Sequence, residues 1–129
     1  MWYISNVLSA ISIMVAVITF LVNFVRTKKV ETMREIDKLF ELSGELKGKT
    51  VRDDYQDYVA YMREVERFAI GVNEGLYYRS VVSRQASILL FNQYDNFIRE
   101  IIEQRRKQFK RADYYQNIEK LMHRIKREK

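Results

Sequence analysis

The chain has 129 residues, 23 basic and 17 acidic, with one His, four Gly and neither Cys nor Pro. That length suits one domain, and the missing Cys excludes a disulfide framework, thiolate metal sites and cysteine nucleophiles. A single His excludes a His-cluster zinc site, and so few turn-formers argue against an all-β fold and for long helices.

Charge is segregated along the chain, so the mean hydropathy of −0.36 hides its organisation. Residues 1–25 carry no charged side chain, whereas residues 101–129 carry ten basic and four acidic ones. Trp2 to Val25 would make a helix of about 36 Å, enough to cross a bilayer core of about 30 Å with some tilt. Trp2, Tyr3, Phe20 and Phe24 suit the two interfaces. A cleaved signal peptide would want a basic start and an Ala-x-Ala site, and neither is present; a buried soluble helix would seldom run this far without a charge. A transmembrane anchor over 1–25 is expected. The basic cluster Arg26, Lys28, Lys29 and Arg34 places the N-terminus outside an inner membrane and the remainder in the cytoplasm.

Within the span, Ser5, Ser9, Ser12, Ala16, Thr19 and Asn23 are spaced 4, 3, 4, 3, 4 and draw one small, polar stripe down the helix. Ile4, Leu8, Ile11, Val15, Ile18 and Val22 fall on other faces, suited to lipid. Such a stripe predicts self-association by close packing and interhelical hydrogen bonds. The bland alternative is that the hydroxyls bond back to their own i−4 carbonyls. No Gly or Pro interrupts the chain before Ser43, so the helix is predicted to continue through a juxtamembrane segment, 26–49. Ile36, Leu39 and Leu46 there supply a face for a globular neighbour, and Gly44 and Gly48 mark its end.

The cytoplasmic domain, 50–129, reads as further helices. Thr50 with Asp53 resembles a capping box, and Val51, Tyr55, Tyr58, Met62, Val65, Ala69 and Val72 form an apolar stripe that Asn73-Glu74-Gly75 stops. Ser80 is the expected cap of the next helix, with Val81, Val82, Gln85, Ile88, Leu89, Phe97, Ile98, Ile101 and Ile102 on its face and a break near Asn92. Asp113 is the expected cap of the last, with Tyr114, Ile118, Leu121, Met122 and Ile125 inward. The expected fold is all-α: one transmembrane helix, then a small antiparallel cytoplasmic helical bundle.

Residues Tyr58 to Val82, YVAYMREVERFAIGVNEGLYYRSVV, carry a recognisable pattern. Glu66, Phe68, Ala69, Gly71, Val72, Gly75, Leu76 and Tyr77 fall on a motif that resembles a bacterial family of short membrane-anchored helical proteins known only as a domain of unknown function. Arg63 and Tyr78 depart from it, while Phe91 and Tyr94 match its aromatic pair. The resemblance implies architecture and carries no activity.

Catalytic templates are missing. The glycines form neither G-x-x-x-x-G-K-[ST] nor G-x-G-x-x-G, and no G-x-S-x-G elbow occurs. His123 lacks an Arg four to six residues upstream, as the helical RNase toxins require. No catalytic residue, metal ligand or cofactor is therefore expected. Glu66 has two readings: a polar residue in a pocket at the Gly71–Gly75 turn, or a structural group that pairs with Arg63 or caps a neighbouring helix. Arg26, Lys28, Lys29, Arg105, Arg106 and Lys107 suit anionic lipid headgroups, at about 1 kcal/mol each near the surface. Nucleic acid is not expected, because no recognised binding motif accompanies the charge.

The expected function is a single-pass inner-membrane protein with a non-enzymatic domain for homo-oligomerisation and binding of an unknown protein partner. The alternative is a membrane-perturbing effector of a toxin or phage-defence system. A spanin-like lysis protein is opposed by the Arg26–Lys29 cluster.

Overall fold

The computed structural model describes residues 2–128, though not the side chains of 126–128. The described residues are helical, with no strand among them. Helix α1, Trp2–Gly44, runs unbroken for 43 residues and has two different environments. Its first 26 described residues are exposed throughout, and it is long and apolar enough to cross a membrane. Thr32, Ile36 and Leu39 in its second half are buried. One helix thus carries an unburied apolar stretch and also supplies core side chains to the body.

After the turns at 45–54, α2 spans Tyr55–Asn73. Met62, Val65 and Ala69 on its inner stripe are wholly buried, and Val59, Tyr61 and Phe68 widen the buried face. Thr50 and Asp53 do interact, the Asp53 N–H donating to Thr50 Oγ1 at 3.1 Å, but within the preceding turn. Asp54 Oδ2 accepts from the Thr50 N–H at 3.1 Å, and the helix begins one residue later.

Helix α3, Arg79–Gln85, starts after Tyr78, so Ser80 lies inside it. Helix α4, Ser87–Gln93, follows a break at Ala86 (φ −121°, ψ −7°), not at Asn92. A π-helical turn, Tyr94–Ile98, then leads directly into α5, Arg99–Phe109. These two irregularities shift the helical phase. Ala86, Leu90 and Gln93 consequently turn inward, while Ile88 is 69% exposed and Gln85 is also on the surface.

Helix α6 spans Gln116–Glu128, and Ile118, Leu121, Met122 and Ile125 are buried as their spacing predicts. Asp113 lies before its start, in a loop containing two left-handed residues, Lys110 (φ 52°) and Tyr115 (φ 60°). The α2–α6 contact is the most extensive in the body, and α1 packs on α2 and α3. Side chains of all these helices meet in one core.

Candidate functional site

The junction of α1 with the body is built around Thr32. Its hydroxyl donates to the Lys28 carbonyl at 2.7 Å and accepts from the Tyr78 N–H at 3.0 Å. The second bond satisfies a backbone donor at the start of α3, which otherwise has no partner within its own helix. Lys28 Nζ lies 4.4 Å from the centroid of the Tyr78 ring. A second polar link lies farther along α1: Tyr61 Oη donates to Gln93 Oε1 at 2.5 Å, and Gln93 Nε2 donates to Ser43 Oγ at 2.7 Å. Burial pushes the Tyr61 phenol up to about 12, against the lowering effect of the Gln93 and Ser43 hydrogen bonds. No local sequence signal marks the tertiary roles of Thr32, Ser43 and Gln93, because the partners lie 32 to 50 residues away.

The motif residues meet at the end of α2. Gly75 is left-handed (φ 83°), the Leu76 N–H reaches the Gly71 carbonyl at 2.8 Å and the Gly75 N–H reaches Val72 at 3.1 Å. That is a Schellman closure, in which glycine avoids the Cβ penalty. The turn brings Tyr77 back over α2, where its ring stacks on Phe68 with centroids 5.8 Å apart. A Cβ on Gly71 would lie 2.9 Å from Tyr77 Cδ2 and closer still to Cε2. Ala69 is completely buried beside them. Burial raises the Tyr77 pKa, and the charges of Glu35 and Glu31 on α1 add to it.

Glu66 caps α6. Its Oε1 accepts from the Asn117 N–H at 3.2 Å and from Asn117 Nδ2 at 2.9 Å, while Oε2 accepts from the Ile118 N–H at 3.0 Å. A carboxylate at a helix N-terminus satisfies orphan donors and meets the positive end of the dipole. Of the two readings of Glu66, the structural one matches this geometry, through the cap and not through Arg63. Asp113 is occupied by Arg111, with contacts of 3.2 and 3.1 Å.

The remaining sequence-selected residues are dispersed. Ser5, Ser9, Ser12, Ala16, Thr19 and Asn23 are all exposed along α1, and none makes a side-chain hydrogen bond among the described residues. Among the described residues, Thr32 is the only hydroxyl on α1 that bonds back to an i−4 carbonyl. Arg26 and Lys29 are exposed, as is Lys107. Arg106 turns inward, donating to the Tyr114 carbonyl at 2.9 Å and pairing with Glu119 at 3.0 Å. The Arg105 guanidinium lies 4.8 Å from the Phe109 ring centroid and 5.9 Å from that of Tyr114. The basic end from Lys126 onward lies outside the described side chains.

Neither a curated protein nor a solved structure matches this chain. The model of the family described as "Domain of unknown function (DUF4760)" matches residues 6–125 and so takes in both the apolar half of α1 and the body. The turn of Gly71, Gly75 and Tyr77, and the α6 cap at Glu66, lie inside that match, and the chain belongs to the DUF4760 family.

Proposed function

We propose that the protein is a single-pass inner-membrane protein, N-terminus outside, whose cytoplasmic domain is a small antiparallel helical bundle without enzymatic activity. The bundle serves homo-oligomerisation and the binding of a protein partner. The observation that carries this reading is the divided environment of α1: its apolar half is wholly exposed, while Thr32, Ile36 and Leu39 lie in the body's core. Large aliphatic side chains left in water forgo about 1.5–3 kcal/mol each, which a bilayer would restore. Arg26 and Lys29, exposed just past the apolar run, suit the anionic cytoplasmic leaflet.

Oligomerisation through the span is supported by the stripe's unused hydroxyls. Lipid offers Ser9, Ser12 and Thr19 no hydrogen-bond partner, and none is taken within the helix. A second copy supplies acceptors at close approach.

Reporter fusions test the topology. An enzyme active only in the cytoplasm should be active when fused after Lys129, and one active only in the periplasm should be silent there. The opposite pattern would overturn the orientation. Deleting residues 2–25 should release the cytoplasmic fusion from the membrane fraction.

A further inference from the structure

A groove of about 440 Å³ lies between α2 and the α5–α6 loop, with Arg63, Arg67, Arg105 and Arg111 on its walls beside Tyr114 and Tyr115. Its two carboxylates, Glu66 and Asp113, have other uses. Glu66 caps α6 through both oxygens, and Asp113 is held by Arg111. Arg67 contacts Glu64 at 3.4 Å. Neither Arg63 nor Arg105 has an acidic partner among the described residues.

Arg105 is the more telling of the two. Its guanidinium packs against the Phe109 and Tyr114 rings, which close Nε off from solvent, while its two terminal nitrogens are not closed off and have no hydrogen-bond partner among the described residues. Unpaired guanidinium donors open to a groove are free to take the oxygens of an anion. The loop that faces it begins at the left-handed C-cap of α5, Lys110, where the Arg111 N–H closes on the Arg106 carbonyl at 3.1 Å, and Tyr115 is also left-handed. Arg111, stacked 5.0 Å from the Tyr114 ring centroid, is fixed on the same loop.

We propose that this groove binds the phosphate of a soluble phosphorylated small molecule, clamped between Arg63 of α2 and Arg105 of α5. Guanidinium groups suit the task because their planar forks match phosphate oxygens and keep their charge at every physiological pH. A phospholipid headgroup offers the same chemistry, but the groove's position favours a soluble source. Lys38 on α1 pairs with Glu64 of α2 at 3.6 Å, and Arg63 is the next residue to Glu64. Lys38 lies about 20 Å along the helix from Val25, whereas a headgroup layer is only about 6 Å deep. This choice of source rests on the membrane placement proposed above; the phosphate site does not.

The test uses the full chain in nanodiscs of neutral phosphatidylcholine, with pyrophosphate titrated by calorimetry at low salt. Saturable binding is expected, weakened about tenfold or more by Arg63→Gln and by Arg105→Gln. Arg52→Gln removes one exposed positive charge outside the groove and should change affinity less than about twofold. Arg63 is exposed, so its variant keeps the fold even if the Arg105 variant does not. No saturable binding, or equal weakening by Arg52→Gln and Arg63→Gln, would overturn the site. Adding phosphatidic acid to the nanodiscs separates the sources. Undiminished pyrophosphate binding supports the soluble ligand, and competition by the lipid overturns it in favour of a headgroup.

Discussion

A methyl group at position 71 would meet a ring that cannot easily move, because Tyr77 is stacked on buried Phe68. Gly71→Ala should therefore destabilise the protein by about 1–3 kcal/mol in chemical denaturation, despite alanine's better helix propensity. In a Tyr77→Ala background the obstacle is gone, and the same substitution should stabilise by up to about 1 kcal/mol. A change of sign between the two backgrounds is the diagnostic; equal effects would mean that the ring simply swings aside. Tyr61 makes a second single-residue prediction. Its phenol, pushed up to about 12 chiefly by burial, stays protonated in the folded state after the unfolded chain has lost that proton near 10. The folded state thus binds the extra proton between those values. Its contribution is complete below pH 10 and falls as pH rises towards 12, by about 2–3 kcal/mol in all. Urea unfolding across this range should show a slope that Tyr61→Phe reduces by about one proton. Tyr77 and Tyr115, whose pKa values are also raised, leave a remainder.

Elements differ in how far their own residues define them. The inner stripe of α2 and the Ile118–Ile125 face of α6 follow directly from helical spacing, because packing one face of a regular helix needs no distant information. Their starts do not. Asp113 looks like the cap of α6, but Arg111 holds it, and Glu66 supplies the cap from 51 residues away. Ile88 reads as core yet lies on the surface, since the break at Ala86 turns α4 away from the phase of α3. The arginine groove is equally illegible in the sequence: Arg63 and Arg105 come to line one groove only after α2 and α5 have packed into the body. The stripe on α1 is legible as a pattern, and the self-association proposed for it is tested in a bilayer. Replacing Ser9, Ser12 and Ala16 with Leu keeps the span hydrophobic but fills the line of close approach and removes two hydroxyls. In a membrane dimerisation reporter that triple variant should lose signal, while exchanging Leu8, Ile11 and Val15 for other large aliphatics should not. Equal behaviour of the two sets would reduce the span to an anchor.

At the scale of the whole molecule, α1 is the shared part. The Thr32–Tyr78 and Ser43–Gln93 bonds, together with buried Ile36 and Leu39, attach the body to the same 43-residue helix that carries the stripe. With no glycine or proline between Trp2 and Ser43, nothing in the covalent chain provides a swivel.

Such a helix acts as a drive shaft, and angular position becomes a property that the sequence controls. Each residue added between stripe and body turns one against the other by about 100° and advances it about 1.5 Å. One alanine inserted after Thr27 should leave the association proposed for the span intact yet swing the attached bodies to a new bearing. Seven inserted residues should return them to within about 20° of the original. Spin labels at Arg52→Cys in paired copies would read this as a changed separation for one residue and a nearly restored angular relation for seven. A signal unaffected by a single insertion would locate a flexible coupling between membrane and body. A periodic one would mean that rotation of the span is transmitted undiminished to the arginine groove.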